Sequence, residues 1–365
     1  MKRNYSLDLL KIIAILMIVM FHYTYKGIIY NQLTNFNKII YSIVFHFGEI
    51  GVNLFMLITG YFLCKQEKIN KNKVIRFILD VYFYSILSII IVICFKKYVF
   101  SYQDLFPISF SYYWYITAYI IIYILSPYIN KLIKSLTQKE YRNLLTILFI
   151  IFSVIPTFVG FLQGDTEGFY FYNRFVWLIY MYLIGSYICL YKDKLNILKL
   201  TTLNLVKKLF SLSIILILFI IFLFKLNIPI LIPYDEIQLI KPYFMWQPNS
   251  ILVFLVSTLI FLIFVKLNIK ELKIIKLLSA STIGIYMLHE HHKFVSVLWY
   301  DILPVSKYFK SYKLYFYILF GSILVCLAGT VIFYIKKYTF DKLIDYLLNN
   351  INILNLRRKN EKTIK

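Results

Sequence analysis

Residues 9–25 read LLKIIAILMIVMFHYTY, an apolar run interrupted by Lys11 and, eleven residues later, by His22. Its length suits one crossing of a bilayer core of about 30 Å. A purely anchoring span has no use for a titratable group in hydrocarbon, so His22 marks a candidate functional residue. MKR precedes the run, but no small-residue cleavage site follows it, and we expect a retained helix rather than a signal peptide.

The rest of the chain repeats this pattern. Of 365 residues, 61% are hydrophobic and only 16% charged, well away from the balance of a soluble domain. The apolar residues fall into ten separate runs, at 7–25, 39–63, 77–95, 112–129, 144–162, 175–191, 209–225, 249–265, 277–299 and 314–335. The expected fold class is therefore all-α, a polytopic membrane protein with about ten transmembrane helices. Lys and Arg give the orientation. With the N-terminus in the cytoplasm, 29 of the 40 fall in inner segments. The positive-inside rule then places both termini in the cytoplasm.

The net charge of +23 is carried by loops beside the membrane. It is explained by anionic headgroups and not by nucleic acid. Residues 1–337 form one membrane domain. Residues 338–365 form a basic cytoplasmic tail whose YTFDKLIDYLLNNINIL segment, 338–354, suits an interfacial amphipathic helix. Cys64, Cys94, Cys189 and Cys326 are far apart in sequence and form no C-x-x-C pair, which argues against disulfides and zinc.

Helical rise converts sequence offset into depth. His22 lies roughly 16 Å beyond Lys11, and Glu49 and His289 reach comparable heights from two other spans. Asn53 follows Glu49 by one turn. Lys11, Lys73 and Arg76 gather at the inner end. A neutral imidazole at mid-depth suits proton abstraction from a hydroxyl. A neighbouring carboxylate, with Glu49 as the candidate, would orient the ring and stabilise the imidazolium. The basic end suits a phosphorylated cofactor. Each residue has a plainer role open to it: Lys11 can snorkel and pair with Asp8, Arg76 can pair with Asp80, and Gly60 can serve close helix packing. His289, His291 and His292 diverge by about 100° per residue on a helix and make a poor metal chelate, so no metal is expected.

Several segments resemble the integral membrane acyltransferases, acyltransferase family three. LDLLKIIAILMIVMFHY is similar to that family's first-helix pattern of an Arg, ten residues and a His, with Lys11 at the Arg position and His22 at the His. GVNLFMLITG, 51–60, resembles its second-helix pattern. KVIR, 73–76, matches a following Arg-x-x-Arg with Lys73 for the first Arg. WYITAYIIIYILSPYI, 114–129, is similar to its Trp-led fourth segment, and STIGIYMLHEHH, 281–292, to its late motif ending in His. Lys in place of Arg keeps charge but loses the bidentate fork.

The resemblance implies transfer of an acetyl or other short acyl group from cytoplasmic acyl-CoA, usually acetyl-CoA, to a sugar hydroxyl. The acceptor is then a glycan or lipid-linked glycan of the cell envelope or a secreted polysaccharide. The setting is the cell membrane, here a bacterial cytoplasmic membrane, with membrane lipids and polysaccharide-assembly proteins as partners. His22 and Glu49 would be catalytic, Lys11, Lys73 and Arg76 cofactor-binding, and Asn53, Thr59 and His289 substrate or oxyanion candidates. Aromatic stretches at 168–177 and 242–248 could stack on sugars or belong to the interfacial belt. A transporter or flippase using buried His and Glu as a proton relay is the competing reading, although no paired broken repeats are visible.

Overall fold

The structure is a computed structural model that describes residues 3–109, 113–163, 173–225 and 247–346. All regular elements among these residues are helical. Most of the aromatic stretches 168–177 and 242–248, and the tail beyond residue 346, lie outside the described residues.

The main helices are α1 (Tyr5–Gly27), α2 (Asn35–Leu63), α3 (Lys71–Cys94), α4 (Trp114–Lys134), α5 (Gln138–Phe149), α6 (Ile155–Gln163), α7 (Arg174–Tyr191), α8 (Thr202–Lys225), α9 (Ile251–Lys266), α10 (Lys273–His289) and α11 (Leu314–Tyr338). Their starts follow local chemistry. The side chains of Asn4, Thr34, Asn70, Asn173 and Ser250 accept from backbone N–H groups of the first turns, and Thr137 and Glu140 form a reciprocal capping box.

Seven helical segments among the described residues are long and apolar enough to cross a membrane, and the chain is a multi-pass membrane protein. Three of the ten expected spans are not among these seven: the 209–225 run lies in the helix Thr202–Lys225, and the other two are realised differently. The 249–265 run gives a helix of 16 residues. The 277–299 run is not one helix: α10 stops at His289, and a short helix and a π-helical stretch, Val297–Ile302, follow. The cause is the polar run His289 to Lys293, whose side chains find partners in different directions, Lys26 for Glu290, Ser85 for His291 and Asp104 for Lys293. No single helix face could deliver all of them.

Two prolines are accommodated within helical runs. Pro127 removes a donor to the Tyr123 carbonyl, and Ser126 Oγ bonds that oxygen at 2.8 Å, so α4 continues. Pro156 likewise frees the Phe152 carbonyl, which Asn249 Nδ2 takes at 2.6 Å. The local response there is the π-helical turn Ile150–Val154 joining α5 to α6.

At the centre α1 packs along α2, and α10 and α11 close over α1. On α2, Asn53, Gly60 and Cys64 meet Trp177, residues around Gly185, and Cys189 in the same order along α7, so these two helices run parallel. Outer faces such as Phe316, Phe320, Leu327 and Val331 on α11 stay exposed, as expected of surfaces that meet acyl chains rather than water.

Candidate active site

The C-terminal ends of α1 and α10 meet around His22, which is 8% exposed. His22 Nδ1 lies 2.9 Å from His289 Nε2 and 2.9 Å from Glu290 Oε2. His289 Nδ1 is 2.7 Å from the Ile285 carbonyl of its own helix. Glu290 Oε1 accepts from Lys26 Nζ at 2.9 Å.

These contacts decide where the protons sit. A carbonyl only accepts, so His289 Nδ1 carries a hydrogen and a neutral His289 presents Nε2 as a lone pair. His22 Nδ1 therefore hydrogen-bonds the His289 nitrogen, with the Glu290 carboxylate at ion-pair distance beside it. It must be the protonated nitrogen of a neutral His22. Nε2 of His22 is left as the lone pair, and it makes no hydrogen bond among the described residues. A base with its orienting groups behind it results. The carboxylate also stabilises the imidazolium that forms when Nε2 takes a proton.

The carboxylate behind His22 is Glu290 and not Glu49. Glu49 reaches a similar height but belongs to the α2 stripe Glu49, Asn53, Gly60, Cys64 that faces α7, where its charged neighbour is Arg174. The face toward α1 is a different one: a Cβ at Gly48 would meet Phe21, and one at Gly51 would meet Ile18. Asn53 is also reassigned. Its Nδ2 donates to the Pro248 carbonyl at 2.8 Å, and its Oδ1 accepts from Trp177 Nε1 at 2.9 Å. Its second Nδ2 hydrogen points to Ser257 Oγ at 3.4 Å, so with no exposure it is a structural clasp between α2 and α7 and has no donor left for an oxyanion.

A second feature lies at the other end of α1, a cavity of about 450 Å³, within the range of small-molecule pockets. Arg3, Lys11, Lys73 and Thr59 are among its lining residues. Arg3 and Lys11 both pair with the buried carboxylate of Asp8, at 2.6 and 3.0 Å. Lys73 sits over the Tyr123 ring at 4.6 Å. Three cations against one carboxylate leave the cavity positive. Arg76, expected from its sequence position to line this end, does not: its guanidinium bonds Asp345 of the segment after α11, while Asp80, its expected i+4 partner, bonds Lys336. Arg3 supplies the third cation in its place. Thr59 lines the cavity, but its hydroxyl hydrogen goes to the Phe55 carbonyl at 2.8 Å, which leaves it an acceptor.

Aromatic rings connect the two features. Tyr115 lines the cavity and packs edge-on against Tyr286 at 5.8 Å, and Tyr286 against His289 at 6.0 Å.

The family model described as an acyltransferase domain matches residues 4–335, nearly the whole chain. The chain belongs to acyltransferase family 3. No curated protein and no solved structure matches it. The family match makes this membrane protein an acyltransferase.

His22, His289 and Glu290 each offer one ligand atom, all within 4.8 Å of one another, a cluster that sequence separation hid. A carboxylate can serve a metal through one oxygen while the other is hydrogen-bonded, but Lys26 on Glu290 adds a positive charge that opposes a cation at the site. We therefore expect acyl transfer to persist unchanged in excess EDTA. A loss of activity restored by a divalent ion would assign the cluster to a metal.

Proposed function

We propose that this protein is a membrane-embedded O-acyltransferase that moves an acetyl or other short acyl group from acyl-CoA to a sugar hydroxyl of a cell-envelope or secreted polysaccharide, or of its lipid-linked precursor. The observation that carries the reading is the tautomer forced on His22. Its Nδ1–H is committed to His289 Nε2 with the Glu290 carboxylate beside it, so Nε2 is poised to take a proton.

The donor enters from the cytoplasm at the Lys11 end. Arg3, Lys11 and Lys73 grip the phosphates of the cofactor, and the pantetheine arm runs toward His22 past Tyr115 and Tyr286. The acceptor hydroxyl approaches from the outer leaflet. His22 Nε2 removes its proton as the oxygen attacks the thioester carbonyl, and the coenzyme A thiol leaves. A thioester is already activated, so positioning and one base supply most of what the reaction requires. The setting is a bacterial cytoplasmic membrane, with both chain termini inside.

The donor site makes a discriminating prediction. Arg3→Ala and Lys73→Ala should each raise KM for acyl-CoA several-fold with little change in kcat, and the defect should shrink as salt screens the wild-type advantage. Arg76→Ala should leave KM nearly unchanged, because that side chain is engaged with Asp345. Lys11→Arg should be tolerated, since it keeps the charge and adds a bidentate fork. Steady-state kinetics against donor concentration reads all four; an acceptor-selective effect for Lys73→Ala would move the donor site elsewhere.

The test of the function itself is chemical. Purified protein in detergent, given labelled acetyl-CoA and a hydroxyl acceptor glycan, should form acyl ester with no membrane gradient. A transporter has nothing to do once the bilayer is gone. Protein that neither binds acyl-CoA nor transfers label, yet moves solute in vesicles, would overturn the proposal.

A further inference from the structure

Away from the active site, two thiols meet at the C-terminal ends of α2 and α7. Cys64 caps α2, and its Sγ lies 2.9 Å from Cys189 Sγ on α7. The four cysteines are scattered in sequence, which argued against a disulfide; folding brings these two into contact across 125 chain positions. Both are free thiols.

The approach is imposed by the backbone. One turn before the cysteines, Gly60 and Gly185 form a crossing so tight that a Cβ at Gly60 would lie 2.1 Å from the Tyr182 carbonyl oxygen, and one at Gly185 2.2 Å from that of Leu57. Ser186 Oγ adds a bond to the Gly60 carbonyl at 3.1 Å. The same register carried one turn further places the two sulfurs opposite each other. A disulfide of ~2.05 Å requires them to close by less than about 1 Å, within reach of side-chain rotation. Surroundings and access differ between the two. Cys64 is fully buried, whereas Cys189 is half-buried, with the Lys65 and Lys192 ammonium groups as its charged neighbours.

We propose that Cys64 and Cys189 are an oxidation site, a dithiol that hydroperoxides convert to a disulfide linking α2 to α7. The Cys189 sulfur, the more accessible of the two, attacks as the thiolate. It takes one peroxide oxygen, the O–O bond breaks, and water or an alcohol leaves after protonation, giving a sulfenic acid. Cys64 sulfur then attacks the sulfenic sulfur and expels a second water, its thiol proton going to the departing hydroxide. One hydroperoxide is reduced and two thiols are oxidised. On the proposed topology this end faces a reducing cytoplasm, so the resting form is the dithiol and the disulfide appears under peroxide exposure. The link fixes the end of α2 that carries Thr59, Phe62 and Leu63 of the donor cavity. It also spares Cys189 from irreversible over-oxidation.

The experiment uses the full-length protein in detergent, treated with hydrogen peroxide, alkylated, and mapped by mass spectrometry without reduction. The expected product is one Cys64–Cys189 cross-linked peptide, reversed by dithiothreitol, with Cys94 and Cys326 still alkylatable. The oxidised protein should unfold several degrees above the reduced one, since the link closes a long loop. Cys189→Ser should abolish both the cross-link and the thermal shift. Cys189 driven to sulfinic acid while Cys64 stays a free thiol, or cross-linking only between molecules, would overturn the proposal. If the variant fails to accumulate, the wild-type peptide map alone decides between these outcomes.

Discussion

Replacing His22 by Ala is expected to lower acyl transfer by about 10³-fold, within the range that a positioned general base contributes, while the protein is still made and inserted in normal amount. The residue sits on α1 with its ring held by partners at the end of α10, so truncation removes the base and leaves the bundle's packing in place. Its supporting groups should follow in order. Glu290→Gln keeps an oxygen beside Nδ1 but loses the charge that stabilises the imidazolium, so we expect a large fall in kcat with donor KM little changed. Glu49→Gln should be much milder, because Glu49 faces α7 and not the ring. Single-turnover assays with labelled donor distinguish these. Substantial native activity in His22→Ala would remove the catalytic assignment.

The largest effect on stability is expected at the α2–α7 crossing. Gly60→Ala would place a methyl carbon 2.1 Å from the Tyr182 carbonyl oxygen, far inside contact distance. The clash is with backbone, not with a movable side-chain tip, so α7 must be pushed away. That shift would break the Ser186 bond to the Gly60 carbonyl and loosen the Asn53–Trp177 clasp further along. We expect a cost of about 3 kcal/mol or more, at the upper end of overpacking penalties. It would be seen as a sharp drop in folded yield and unfolding temperature. Gly185→Ala should behave alike. Gly27→Ala should cost less, since the nearest contact of a Cβ there is the Tyr23 ring edge at 3.1 Å and not backbone at 2.1 Å. Equal stability of Gly60→Ala and wild type would mean the helices are not in this contact.

Much of this was legible from the chain. The apolar runs located most of the helices, and the family motifs ordered His22, the Gly51–Gly60 segment and His289. Depth counting correctly set His22, Glu49 and His289 at similar heights. It failed on azimuth, because rise per residue says nothing about which neighbour a face meets. Glu49 therefore looked like the partner of His22 although its stripe turns to α7. Glu290 was overlooked for a related reason. On an unbroken helix it would point about 100° away from His289, and only the end of α10 after His289 lets both groups converge on one ring. Arg76 was misplaced because its partner Asp345 lies 269 positions away, and Cys64 and Cys189 were separated for the same reason. A positive count near Asp8 was visible, but that this one carboxylate gathers Arg3 and Lys11 is a product of folding.

Everything proposed for the chemistry depends on His22 acting as a base through Nε2, and its tautomer can be measured directly. Nitrogen NMR of protein labelled at histidine, with the His22 signals identified by their loss in His22→Gln, should show Nδ1 protonated and Nε2 bare near neutral pH. In Glu290→Gln the same tautomer should persist, because the His289 nitrogen still accepts. A wild-type His22 found with its hydrogen on Nε2 would contradict this assignment, since the lone pair would then face His289 and Glu290 and no base would face the acceptor.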